Sequence, residues 1–294
     1  MKANKIKRFI IYIYQRVIIR KNIKIKFFSN EKTIQKIIKE KKSLIRYGDG
    51  EFLWMWGIKQ NSFQENNAEL SKKLKEAFYN KNENIIVGLP SPFVNTKGLN
   101  IYAKEFYTNF ITKYYDKLNE TINFNKTYAD TTITRPYIDY RKKDYNQIKD
   151  RFNRLKKIWE GREVIIVEGE YTRFGRGNDL MDNAKSIRRI ICPAKNAFRV
   201  YKKIESEILK QKKDKLFLIA LGPTATIIGY DMANKGYQCI DIGHADVEYM
   251  WFQMGAKKKT EIKGKYVNEA PYNNLNDEKF NDKEYDKQII ERIQ

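Results

Sequence analysis

Short, largely apolar runs recur along the second half of the chain: Val164 to Val167, Ile187 to Cys192, Leu216 to Leu221 and Cys239 to Ile242. Between them, apolar positions recur at helical spacing up to about Lys210, Asn234 and Met254. The first half repeats the theme less regularly. Ile34, Ile37 and Ile38 predict a helix over 31–42, Ser43 to Tyr47 a strand, Asn67 to Phe78 a helix, and Ile85 to Val87 a strand that stops at Gly88-Leu89-Pro90-Ser91-Pro92. Residues 99–160 predict a long helix to about Leu118, a strand over Tyr128 to Ile133 and a helix over Tyr145 to Trp159. Apolar strands alternating with helices are the pattern of a mainly parallel sheet covered on both faces, a Rossmann-like α/β body. In such a sheet, ligands bind at the carboxyl ends of the strands.

Polar motifs fall at four of those ends. The first is Arg46-Tyr47-Gly48-Asp49-Gly50-Glu51. If the backbone there is extended, Asp49 and Glu51 point to one side and can share a hard cation, Mg²⁺ or Mn²⁺, completed by water and phosphate oxygens. Arg46 can reach the same phosphates, and Gly48 leaves space for them. The plain alternative is a turn with a solvated acid. The second is the loop Glu168 to Asp179, in which glycines such as Gly175 alternate with Arg173 and Arg176 beside Thr172. Backbone N–H groups and guanidinium forks suit a diphosphate, while Asn178 and Asp179 can cap a following helix or hold a ribose hydroxyl. The third is Gly222-Pro223-Thr224, a turn into a helix that can meet a phosphate, although helix capping alone accounts for it. The fourth is Asp241 to Glu248, where the chain's single histidine, His244, stands among Asp241, Asp246 and Glu248. His244 can act as a general base, and the two later acids also suit the first turn of a helix.

Composition narrows the class. With 41% hydrophobic and 14% aromatic residues in 294, the chain can bury a sizeable core. Cys192 and Cys239 sit in strand-like runs without a CxxC partner, so they read as buried thiols in a reducing cytoplasm. The net charge of +22 is uneven: the first 26 residues carry nine Lys or Arg and no acid, and the rest holds 49 basic against 36 acidic residues. The apolar stretch Phe9 to Ile19 is too short to span a bilayer, for which about 20 residues are needed. As a basic amphipathic helix it either lies on an anionic membrane face or packs on the body through Ile6, Ile10, Ile13 and Val17. The basic excess also suits a nucleic-acid-binding protein, but it forms no recognised reading motif, and no nucleic-acid partner is expected. A nucleotide-dependent oxidoreductase ranks third, because no Gly-x-Gly-x-x-Gly turn follows the first strand.

In their fixed order, the motifs at 46–51, 167–180, 182–187, 192–198, 221–226 and 241–249 resemble the GT-D-fold glycosyltransferases, formerly domain of unknown function 1792. The resemblance implies a GT-D-type sheet and a hexosyltransferase that uses a nucleotide-sugar donor, a UDP-hexose, and a glycan or glycoprotein acceptor. It also implies a divalent metal, Mn²⁺ or Mg²⁺, on Asp49 and Glu51. Arg46, Gly48, the loop residues Thr172, Arg173, Gly175, Asn178 and Asp179, and Gly222, Pro223 and Thr224 would border the donor. His244, Asp246 and Glu248 would border the reacting sugar. The expected division is a basic N-terminal segment over 1–30, a glycosyltransferase domain over 31–270 and a polar tail over 271–294, with residues 1–26 offering a peripheral membrane contact.

Overall fold

A computed structural model describes residues 23–60, 62–267, 269 and 282–294. The expected helix over Phe9 to Ile19 lies outside the described residues. Among the described residues, nine strands form one parallel sheet in the order β1-β4-β3-β2-β8-β7-β5-β6-β9. They are β1 (Lys26–Phe27), β2 (Ser43–Arg46), β3 (Ile85–Leu89), β4 (Thr127–Asp130), β5 (Glu163–Gly169), β6 (Ser186–Cys192), β7 (Leu216–Ala220), β8 (Gln238–Asp241) and β9 (Ile289–Arg292). The central strands are buried along nearly their whole length because helices cover both faces, which explains why they read as apolar runs and not as alternating ones.

The helices are α1 (Asn30–Lys39), α2 (Asp49–Met55), α3 (Ala68–Phe78), α4 (Ile101–Lys113), α5 (Tyr115–Thr121), α6 (Tyr145–Lys156), α7 (Tyr201–Leu209), α8 (Pro223–Asn234), α9 (Ala245–Gln253) and α10 (Lys283–Gln288). Side-chain caps begin several of them: Ser29, Asn67, Asn100, Asp144 and Asp282 each accept a backbone N–H of the first turn. One core layer joins Leu70 and Leu74 of α3, Phe110 of α4, Ile204 of α7 and Ile228 of α8 to Ile165 and Ile219 of the sheet. The opposite layer joins Ile37 of α1, Phe152 of α6 and Trp251 of α9 to Ile166 and Leu218. Successive residues of β5 and β7 thus point into different layers, as the pleat requires.

Several expectations need correction. Residues 49–51 are not extended but open helix α2, because the Glu51 carboxylate reaches back 2.8 Å to the Gly48 N–H. The long helix of 99–118 is two, broken at Tyr114. β4 ends at Asp130, where the Asp130 side chain takes the Thr132 N–H at 2.9 Å and starts a 3₁₀ turn. No helix follows Asp179, and residues 170–185 stay in turns. Both ends of the expected central domain are also drawn too tightly. Ile23 and Ile25 are buried and β1 pairs with β4, while the segment read as a polar tail contributes α10 and β9, which pairs with β6. Ile289 and Ile290 in β9 and the buried Tyr285 in α10 supply the apolar surface that a tail would lack.

Candidate active site

β2 and β8 are neighbours in the sheet, yet β2 leads into α2 and α3 on one face and β8 leads into α9 on the other. In parallel sheets, such a divergence is where a ligand crevice forms, at the carboxyl ends of the two strands. Arg46 closes its floor. Its Nε donates to the Asp241 backbone carbonyl at 2.9 Å, Nη2 to Asp241 Oδ1 at 2.8 Å, and Nη1 to Thr134 Oγ1 at 2.8 Å. Thr226 donates its hydroxyl to the Arg46 carbonyl at 2.9 Å. One guanidinium thereby ties β2 to β8 and to the turn after β4.

Asp49 and Glu51 stand at the start of α2 beside this floor. Burial, reinforced by Asp241 and Asp49, pushes the Glu51 carboxyl up to about 7. Burial also raises Asp49, with Glu269 acting in the same direction and Arg135 against it. Burial raises Asp241 despite Arg46. The corner is therefore short of positive charge. Among the described residues, no group of three or more His, Cys, Asp or Glu is gathered as a ready-made metal cage. Asp49 adds to the charge cost that raises Glu51, so the two carboxylates share this corner.

Across the crevice, His244 Nδ1 lies 3.1 Å from Glu269 Oε1. Glu269 also takes Arg135 Nη2 at 3.1 Å and pairs with Lys259. Burial opposes its charge, but Arg135 and His244 hold its carboxyl well below the usual range. Arg135 binds Asp139 at 3.1 Å as well. Tyr107 of α4 stands near Arg135, Asp139, Asp49 and Glu269, and burial lifts its hydroxyl pKa well up. Arg135, Glu269 and Tyr107 are candidates that sequence reasoning passed over. Arg135 had a signal, since it follows a strand end; Glu269 and Tyr107 sit in stretches without one.

The other expected residues divide. His244 is 35% exposed, whereas Asp246 and Glu248 on the same stretch are 1% and 0% exposed. Glu248 Oε2 accepts the N–H groups of Tyr137 and Ile138, each at 3.0 Å. Asp246 pairs with the buried Lys265 and accepts Gly175 N–H at 2.9 Å and Asn178 Nδ2 at 2.7 Å. It therefore braces the loop after β5. In that loop Thr172 closes a turn onto Gly169 at 2.8 Å, Arg173 donates to the Gly264 carbonyl at 2.6 Å, and Arg176 makes two bonds to Asp282 at 2.8 and 2.7 Å. Asp179 turns to α6 and α9 instead, taking Lys156 at 2.9 Å and Tyr249 OH at 2.7 Å. At the end of β7, Gly222 has a φ of 54°, and a β-carbon there would meet Phe63 at 2.5 Å. Pro223 opens α8, and the buried Thr224 hydroxyl beside it has no hydrogen-bond partner among the described residues. Cys192 and Cys239 are buried and free, as expected. No described helix is long and apolar enough to cross a membrane.

Comparison with known proteins bears on the family and the fold. A family profile described as "Glycosyltransferase GT-D fold" matches residues 44–270. The chain is 38% identical over 265 residues to "Glycosyltransferase GlyD" of Streptococcus pneumoniae serotype 4 (strain ATCC BAA-334 / TIGR4), covering 90% of this chain and 32% of that protein. It is 34% identical over 271 residues to "Probable glycosyl transferase Gly" of Streptococcus gordonii, covering 92% of this chain and 39% of that one. The chain thus spans between about a third and two fifths of the length of these curated relatives. A solved structure described as "The highly conserved domain of unknown function 1792 has a distinct glycosyltransferase fold" superposes with a TM-score of 0.87 at 34% identity, over 95% of this chain and all of that one. Another, "A New Glycosyltransferase (DUF1792) from Streptococcus sanguinis", superposes with a TM-score of 0.82 at 32% identity, over 92% of this chain and all of the other. With the profile covering most of its length and a solved structure of the family superposing over 95% of it, the chain belongs to the GT-D-fold glycosyltransferase family.

Proposed function

We propose that the chain transfers a hexose from a UDP-sugar to a hydroxyl of a glycan or glycoprotein acceptor, with a divalent cation at Asp49 and Glu51. The observation that carries this reading is a convergence at the β2–β8 crevice. Two carboxylates, Asp49 and Glu51, stand there with the cations Arg46 and Arg135 and with His244 paired to Glu269. When bound, the cation supplies positive charge to the departing diphosphate. Arg46 orients that diphosphate from the crevice floor, and the unpartnered Thr224 hydroxyl at the start of α8 offers it a further donor. Glu269 fixes the Nδ1 side of His244, which leaves Nε2 to take the proton of the acceptor hydroxyl. Asp246 and Glu248 serve by holding the surrounding loops.

The same reading places the chain in the cytoplasm, with the nine basic residues of 1–26 against an anionic membrane face. The test is thermal stabilisation by a panel of nucleotide sugars, with and without Mn²⁺ or Mg²⁺, because a ligand that binds only the folded state raises stability by mass action. UDP-hexoses with metal are expected to stabilise the parent and not Asp49→Asn. Equal stabilisation of both proteins, or stabilisation independent of metal, overturns the metal assignment. No stabilisation by any UDP-sugar overturns the donor.

A further inference from the structure

We propose that Glu168 is a positioning residue that couples the C-terminal segment 282–292 to the loop 170–179, so that this segment belongs to the donor-binding machinery. The inference rests on the reading of that loop as a donor loop. Glu168 is the last residue but one of β5 and is fully buried. A buried carboxylate needs several donors, and here each comes from a different element. Oε2 accepts the Phe174 N–H of the loop at 2.7 Å. Oε1 accepts Arg189 Nη1 of β6 at 2.6 Å and the Tyr285 hydroxyl of α10 at 3.0 Å.

Three further ties run between the C-terminal segment and the loop or the strand under it. Asp282 takes the Arg176 guanidinium with both carboxylate oxygens. Gln288 takes Arg189 Nε at 2.7 Å. β9 pairs with β6, register Arg189 to Ile289. The Arg189 guanidinium also lies 4.6 Å from the centre of the Tyr285 ring. Phe174, Leu180 and Met181 of this stretch are buried in the core, but the side facing α10 is not closed. A cleft of about 330 Å³ opens there, lined by Gly175, Arg176, Asn178, Met181, Arg189 and Gln288 among others. Glu168 takes the Phe174 N–H itself while the neighbouring Gly175 N–H goes to Asp246, so the C-terminal segment reaches the loop through Phe174 and Arg176. The loop's own backbone sets the orientation of these groups only loosely, because Gly175 and Gly177 take up positive φ here but adopt negative φ about as readily.

The test uses the full chain and Tyr285→Phe, which removes one hydroxyl and keeps the ring over Arg189. Backbone amide exchange at residues 173–176 reads the coupling directly, and titration with UDP in the presence of Mn²⁺ reads the donor site. The expected result is faster exchange at Phe174, whose N–H Glu168 holds, with UDP affinity roughly tenfold lower, equivalent to about 1.4 kcal/mol. At saturating donor, kcat stays near that of the parent while KM for the donor rises. Asp282→Asn, which loosens the same segment from the Arg176 side, is expected to act in the same direction. Unchanged exchange at 173–176 in both variants overturns the coupling. Faster exchange in a protein whose UDP affinity also withstands Arg173→Ala sustains the coupling and overturns the donor role of the loop. A lowered Tm with parental exchange and KM would mark Tyr285 as an ordinary packing residue and overturns the proposal.

Discussion

The guanidinium of Arg46 lies over the backbone of Gly243 so closely that a β-carbon on Gly243 would run into it. Gly243 also has a φ of 50°, in the left-handed region that other residues enter at a cost. The contact explains why the strand-end sequence Asp241-Ile242-Gly243 has glycine where it turns toward α9: the turn and the arginine occupy the space a side chain would need.

Gly243→Ala is therefore expected to destabilise the protein by about 2–4 kcal/mol, from backbone strain together with displacement of Arg46. Urea unfolding measures the first effect and UDP affinity the second. A variant with parental stability and parental affinity would show that Arg46 has room to move and is not fixed by this contact.

Glu51 makes stability depend on pH. Burial, with Asp241 and Asp49 behind it, raises its carboxyl from 4.5 to about 7 in the folded chain. Between those values the folded protein keeps a proton that the unfolded chain has released. Its contribution is fully present below 4.5 and is lost as pH rises through about 7. The size is roughly 3–4 kcal/mol, from about 2.5 units at about 1.4 kcal/mol per unit. In a chelator, unfolding free energy should fall between pH 5 and 8, and Glu51→Gln should flatten that slope, since the amide can still accept the Gly48 N–H. Parallel slopes for parent and variant would place the titration elsewhere.

The fold was largely legible in the sequence because a doubly covered parallel sheet makes its strands apolar throughout. β5, β7 and β8 stood out for that reason. Residues 49–51 were misread because Asp49-Gly50-Glu51 satisfies the alternation of a strand; only Glu51, three positions after Gly48, announces a helix start, and there the usual Ser or Thr is a glycine. β9 was missed because Ile289 and Ile290 are its only apolar residues. The site was legible where a strand ends in an unusual local run, as at 46–51 and 241–248. Glu269 lies in an irregular stretch, and its importance comes from the three side chains, His244, Arg135 and Lys259, that converge on it in space.

His244 and Glu269 predict a split between chemistry and binding. With Nδ1 held 3.1 Å from Glu269, replacing His244 with Gln is expected to lower kcat by about 10²- to 10⁴-fold and to leave UDP affinity near that of the parent. Glu269→Gln keeps the shape but removes the charge that orients the ring, and should lower kcat by roughly tenfold. Single-turnover assays with saturating donor separate the two effects. Full turnover by the His244 variant would remove histidine from proton transfer and direct attention to Asp49 or to the acceptor itself.

Asp246 tests whether an acid beside the histidine acts in the chemistry or in the framework. It is 1% exposed and faces Lys265, which is 4% exposed, while its other oxygen holds Gly175 and Asn178. Asp246→Asn keeps an oxygen for those two donors but strands a buried ammonium, an uncompensated charge that costs about 3–5 kcal/mol. Adding Lys265→Met to the same chain removes that charge and should restore most of the stability. If Asp246 only braces the loop, turnover per folded molecule in the double variant stays within a few-fold of the parent. If instead the double variant folds stably and is inactive with donor still bound, the carboxylate itself takes part in the transfer, and the burial that now marks it as structural must open during the reaction.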